Sequence, residues 1–167
     1  MPYPTLYNLP GRKWTIRTSV LKAGAWSPTL LTAYEVSLVQ NNVATLKTMM
    51  MDKDGKELPT NAVLAQFPRK EPILQPFKFW MPENAQLFNE RRENAKCPIG
   101  SFDCWLTDFH DPARKDSRVQ MWASIAYPGL IVREQGRWLS DELDEKTGQT
   151  LKTHEIQELK ELVAFSG

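Results

Sequence analysis

Five residues capable of acid–base or metal chemistry fall within fourteen positions: Asp103, Asp108, His110, Asp111 and Asp116. Carboxylates grouped in this way could hold magnesium, with a histidine or lysine orienting water for hydrolysis. Glu158-Leu159-Lys160 adds a Glu-x-Lys pair. A metal-dependent nuclease or hydrolase is therefore the enzyme reading that the residues offer. Two features weigh against it. The Glu-x-Lys pair falls in a segment that reads as amphipathic helix, and Asp-rich loops are ordinarily solvated turns.

Other constellations fail on spacing. Cys97, Cys104 and His110 could supply zinc ligands, but structural zinc sites pair cysteines two to four residues apart, and here six residues intervene. Cys104 and His110 have the types of a nucleophile and its base, without a spacing that joins them. Asp52-Lys53-Asp54-Gly55 resembles the start of a calcium loop, but the glycine is fourth rather than sixth and no glutamate stands twelfth. His154-Glu155-Ile156-Gln157-Glu158 has glutamate where a zincin needs its second histidine. Ser19-Val20-Leu21-Lys22 and Lys146-Thr147-Gly148 match two β-lactamase elements, but the Ser-Asp-Asn element is missing. No glycine-rich phosphate loop occurs. The sequence thus assembles no catalytic signature, and it assigns no metal and no cofactor.

Binding residues are easier to nominate. Arg12, Lys13 and Arg17 stand near Trp26. Phe67, Arg69, Lys70, Phe77, Lys78 and Trp80 interleave aromatic and basic side chains in a proline-rich stretch. Arg114 and Lys115 share a loop. Positive grooves with stacking aromatics are how single-stranded nucleic acids are held. The balance of 21 basic and 20 acidic residues excludes binding by bulk charge, so any such surface must be local. The reading is a non-catalytic binding protein, a small accessory or regulatory factor acting on a larger protein or nucleoprotein complex. Direct binding of single-stranded nucleic acid is the alternative, and the metal-dependent hydrolase the second.

The elements that must position these residues can be read from periodicity. The chain of 167 residues has 41% hydrophobic and 25% charged content, ordinary for a globular domain. Residues 1–11 read as an extended proline-rich arm, and 12–167 as one domain. Residues 12–22 alternate as a strand, with Trp14, Ile16, Thr18 and Val20 on one face. Residues 31–51 read as a hairpin around Gln40-Asn41-Asn42, in a register that sets Glu35 opposite Lys47, Val36 opposite Leu46, Leu38 opposite Ala44 and Val39 opposite Val43. Between residues 59 and 82 five prolines forbid a long helix. Residues 83–96 read as a surface helix opened by Pro82. Residues 99–110 read as a strand with Phe102, Cys104, Leu106 and Asp108 on one face and Asp103, Trp105, Thr107 and Phe109 on the other; 119–126 read as a strand, and 130–133 as a short return strand broken at Gln135-Gly136. Residues 139–149 suggest a turn of helix and a loop. Thr153 reads as the cap of a C-terminal amphipathic helix carrying Ile156, Leu159, Leu162 and Val163. The expected fold is α+β, an antiparallel sheet with two helices, with an OB-like barrel as alternative. No apolar run is long enough to span a membrane. The N-terminus lacks a basic start and an apolar core, and two cysteines make no disulfide framework, so the expected compartment is the cytoplasm.

Overall fold

The structure is a computed structural model that describes residues 5–41, 43–59, 63–68 and 81–166. Among the described residues, nine strands form one antiparallel sheet. They are β1 (Lys13–Lys22), β2 (Ala25–Gln40), β3 (Val43–Asp52), β4 (Val63–Pro68), β5 (Gln86–Cys97), β6 (Gly100–His110), β7 (Arg118–Ser124), β8 (Ile131–Leu143) and β9 (Thr150–Ser166). Their spatial order is β4-β3-β2-β1-β9-β8-β7-β6-β5. Two meanders, β1–β4 and β5–β9, are therefore joined along the seam between β1 and β9.

The main hairpin follows the expected register up to Val36. Tyr34 faces Thr48, Glu35 faces Lys47 and Val36 faces Leu46. Beyond it Ser37 bulges, so Leu38 meets Thr45, Val39 meets Ala44 and Gln40 meets Val43. The turn is thus one residue shorter than expected. Asn41 takes the left-handed conformation, at a φ of 51°. The extra residue turns Val39 to the face of buried Ala44 and leaves Leu38 half exposed.

The sheet replaces both expected helices, so the α+β and barrel expectations are corrected to an all-β fold. The only helical element among the described residues is a single 3-10 turn, Thr5–Asn8. Residues 86–97 have good helix formers, but they pair as β5 with β6 in register from Gln86↔His110 to Cys97↔Gly100. Residues 150–166 are β9, held between β1 and β8. Ile156, Leu159 and Leu162 would share one side of a helix. In β9, alternation puts Ile156 and Leu162 on one face and Leu159 on the other. A strand buried on both faces needs that distribution, and long-range pairing overrides local propensity. Thr153 caps nothing; its Oγ1 donates to Asp141 Oδ1 at 2.6 Å across the β8–β9 hairpin.

β8 also continues through Gln135-Gly136 instead of ending there. A Cβ on Gly136 would stand 3.5 Å from the Trp138 ring and 3.6 Å from Val119, so these side chains cover the glycine and keep the strand packed. Residues 139–143 belong to the strand. The turn follows, with Asp144 Oδ1 accepting from the amides of Lys146 and Thr147.

Register divides the side chains between two faces. On one face lie Trp14, Ile16, Val36, Ala44, Leu46 and Leu162, joined by Leu6, Tyr7 and Leu130 into a buried cluster. Trp14 stacks on Tyr34 at 5.3 Å. The same face carries Phe109, Val119 and Met121 further across. The opposite face holds Ala95, Cys104, Leu106 and Trp122, packed with Val132. Cys97 and Phe102, beside the β5–β6 turn, touch both the Trp14 and the Cys104 clusters. β6 and β7 are therefore covered on both sides, and Leu106 and Met121 are fully buried on opposite faces. Truncating Leu106 to alanine should cost about 2–5 kcal/mol of unfolding free energy in a denaturant titration. Circular dichroism should show a β spectrum without the helical double minimum.

Candidate functional site

Most of the acid–base residues nominated by the sequence are consumed by structural pairs; Asp116 is exposed in the 111–117 loop, in the left-handed conformation at a φ of 48°. Asp103 sits in an ion pair with Arg92, whose hydrogen bonds hold the carboxyl below its ordinary pKa. Asp108, nearly buried, receives Arg118 through both oxygens, with Nη2 to Oδ2 at 2.7 Å. Asp111 Oδ1 accepts from the Ala113 amide at 2.9 Å, and its other oxygen is 3.7 Å from Arg114. Among the described residues no three histidine, cysteine or acidic side chains converge to hold a metal.

One contact looks catalytic and is not. Ser117 Oγ lies 2.9 Å from His110 Nδ1, as a nucleophile does from its base. The same hydroxyl donates to the Asp111 carbonyl at 2.9 Å and accepts from the Asp111 amide at 2.8 Å. Its single proton is therefore spent on that carbonyl. His110 Nδ1 donates, and the group is a clasp closing the loop at residues 111–117. Cys104 has no access to a base either. Burial pushes its thiol up to about 12. Glu158 and Lys160 are also structural. Lys160 Nζ lies 3.2 Å from Glu134 and 3.7 Å from Glu158. Burial pulls its pKa down, but the two carboxylates outweigh it and leave the group raised.

The nominated binding residues do not form one surface. The Arg12 guanidinium lies 5.4 Å over the Tyr127 ring. Lys13 is 3.8 Å from Glu35, and Arg17 is 2.9 Å from Glu161. Trp26 stands half exposed at the β1–β2 tip. Arg114 lies 4.1 Å over the Trp138 ring, and Lys115 pairs with Asp141 at 3.1 Å. These last two fasten the 111–117 loop to the β8–β9 hairpin, where Lys115 also accepts a backbone bond from Leu139. Phe67 lies in β4, its backbone opposite Ala44. Arg69, Lys70, Phe77, Lys78 and Trp80 lie outside the described residues.

What the structure does assemble is a groove that the sequence reading missed. Strand pairing sets Arg118 beside Arg137 and Arg137 beside Gln157. One row away, Gln120 stands beside Gln135. With Gly136 these residues line an open groove of about 120 Å³ across β7, β8 and β9. No carboxylate lines it. The signal lay in period-two spacing, Arg118/Gln120 and Gln135/Arg137, but it becomes readable only once residues 150–166 are a strand.

The groove is held from below. Asp108 fixes the Arg118 guanidinium, which also lies 4.4 Å over the Phe88 ring. Arg133 lies in the next row, 5.4 Å over the Trp122 ring, and donates to Gln135 Oε1 at 3.3 Å. Its Nε is buried without a partner, and among the described residues no carboxylate pairs with it. Arg137 is the least restrained member, with only a 3.8 Å contact to Glu155 at the rim. A second groove of about 160 Å³ opens on the same face of β1–β3, lined by Lys13, Thr15, Ala33, Glu35, Lys47 and Met49, with Trp14 and Tyr34 contributing. The Arg17–Glu161 pair stands between the two.

No protein-family model matches the sequence, and no curated protein does. Two solved structures match across nearly the whole chain. One is described as a "putative exported protein with YmcC-like fold" from Bacteroides fragilis NCTC 9343; it shares 12% identity at a TM-score of 0.54, over 95% of this chain and 97% of that one. The fold is YmcC-like. The second is a "putative lipoprotein" from Parabacteroides distasonis ATCC 8503, with 12% identity, a TM-score of 0.53, and 95% and 96% coverage. The expectation of a cytoplasmic compartment is contradicted by these neighbours. Two free cysteines carry no compartment signal, because a chain with an adequate core needs no disulfides in any compartment.

Burial of Cys104 has a chemical readout. At pH 8 a thiol reagent should label Cys97 in the native protein and reach Cys104 only in denaturant. A folded-state pKa raised from 9.0 to about 12 also means that the unfolded chain loses this proton first as pH rises. The stabilising contribution is complete below about pH 9 and should drain away between pH 9 and 12, as followed by thermal melts of wild type against Cys104→Ala.

Proposed function

We propose that this chain is a non-catalytic binding protein that works outside the cytoplasm and takes its ligand on the Arg118–Gln157 groove. The observation that carries the reading is a contrast. Asp103, Asp108, His110, Asp111 and Lys160 are each held in structural hydrogen bonds or ion pairs, whereas the groove leaves guanidinium and carboxamide groups open to solvent. Binding needs positioned donors, and catalysis needs a group free to move a proton. The exported protein and the lipoprotein that share the fold support placement outside the cytoplasm. An accessory role on a larger envelope assembly is compatible with the fold, in which one face is largely core and the other carries open grooves.

Nucleic-acid binding is the weaker reading. The described basic residues nominated for it are spent on Tyr127, Glu35, Glu161, Trp138 and Asp141, and they lie in different neighbourhoods.

A fragment screen read by backbone-amide shifts tests the reading directly. Hits should cluster on residues 118–120, 135–137 and 157. Hits confined to the β1–β3 groove would move the site, and metal-dependent cleavage of DNA, RNA or ester substrates would overturn the non-catalytic assignment.

A further inference from the structure

The lining of the β7–β9 groove specifies a ligand class. Resting on the binding reading above, we infer that this groove takes an oxyanion, a carboxylate or phosphoryl group, with Arg118 and Arg137 on its charge and the glutamines on its neutral oxygens.

Four observations converge. First, the lining is two arginines, three glutamines and a glycine, with no acidic side chain. Guanidinium groups present planar forks of N–H donors that match carboxylate and phosphoryl oxygens. Second, Arg118 is preorganised. Asp108 takes its Nε and Nη2, and Phe88 supports its plane, so a ligand meets a guanidinium that has already lost its rotamer freedom. Its side chain remains 48% exposed. Third, Arg137 is poised rather than fixed, 62% exposed and too far from Glu155 for a hydrogen bond. Fourth, the neighbourhood carries excess positive charge. Arg118, Arg133 and Arg137 stand against Asp108 and Glu155, and Arg133 has no carboxylate of its own among the described residues.

The overall charge of the molecule does not supply this attraction. The formal net charge is +1. Several described cations are neutralised locally, including Arg17 by Glu161, Arg92 by Asp103 and Lys160 by Glu134. Anion binding that weakens with salt would therefore report a local cationic patch and not the overall field, and its loss in an Arg137 variant would assign it to this groove. The glutamines add selectivity. Gln120, Gln135 and Gln157 can each donate and accept, which suits hydroxyl or amide oxygens flanking an anionic group.

The test is calorimetric titration of the full chain at low ionic strength with four probes: inorganic phosphate, polyphosphate, poly-glutamate and neutral dextran. At least one anionic probe should bind, and its affinity should fall with added salt. Arg137→Gln should weaken that binding about tenfold, as expected for losing one charge-assisted hydrogen bond. Lys152→Gln, on the β8–β9 hairpin away from the groove, should leave it unchanged. Equal binding of phosphate and polyphosphate would identify a free anion as occupant, whereas binding of polymers alone would identify an anionic chain. Failure of all three anionic probes would overturn the inference. Dextran binding that is lost in Gln157→Ala and indifferent to Arg137→Gln would also overturn it, while leaving the groove's binding role standing. Thermal melts of Arg137→Gln, an exposed substitution, check that its fold is intact.

Discussion

The pairing of β1 with β9 holds the molecule together. It joins residues 13–20 to residues 158–166, and among the described residues no other strand pairing links the two meanders. The seam has to pay for a loop of more than a hundred residues, though closure entropy grows only logarithmically with length. It is reinforced on both faces. Ile16 meets Leu162 in the buried cluster, and on the other face Arg17 reaches Glu161 at 2.9 Å. A bulge at Val163 lets Phe165 face Trp14. Ring contacts then continue from Phe165 to Tyr127, in the β7–β8 turn, at 4.9 Å. The end of the second meander is thereby packed against the beginning of the first, and the face carrying the grooves becomes continuous from β3 to β7.

That constraint explains what could be read from the sequence. Elements defined by local alternation were legible. The two faces of β6 were assigned correctly residue by residue, because Gly100 and His110 bracket a clean period of two. The lower part of the β2–β3 hairpin was legible for the same reason. The upper part was not. A bulge at Ser37 costs little locally, and its gain, Val39 joining Ala44, belongs to tertiary packing. β5 and β9 were illegible in a deeper sense. Their composition favours helix, and β9 spaces its large apolar residues three apart. Each is a strand because of partners distant in sequence. β9 is flanked by β1 and β8 and buries both faces, so apolar residues at odd and even positions are both required, and that mixture imitates a helical stripe.

The same failure hid the candidate site. Basic residues were sought by adjacency in sequence, which found Arg12/Lys13, Arg69/Lys70 and Arg114/Lys115. Neighbours in a strand point to opposite faces, so adjacency is a poor guide to a shared surface in an all-β protein. Arg118, Arg137 and Gln157 are distant in sequence and lie side by side across three strands. With residues 150–166 taken as helix, Gln157 cannot be placed next to Arg137, and the groove does not exist. Reading one strand as a helix is thus enough to conceal a surface shared by three strands.

The distribution of charge completes the logic of the sheet. A strand covered on both faces can accept charged residues only in neutralised groups, because an unpaired buried charge is costly. Lys160 meets this demand through Glu134 and Glu158, and Asp108 through Arg118. Arg133 departs from the pattern: its stem and ring contact cover Trp122, its Nη2 serves Gln135, and no carboxylate answers its charge among the described residues. An acidic residue beside it would have been the simple structural solution. Glu161 is already directly opposite in the ladder, yet its carboxylate is turned to Arg17. The sheet thus spends its nearest anion on the seam that holds the two meanders together and leaves a positive charge beneath the groove. Stability along β1–β9 and electropositive character at β7–β9 are set by the same glutamate.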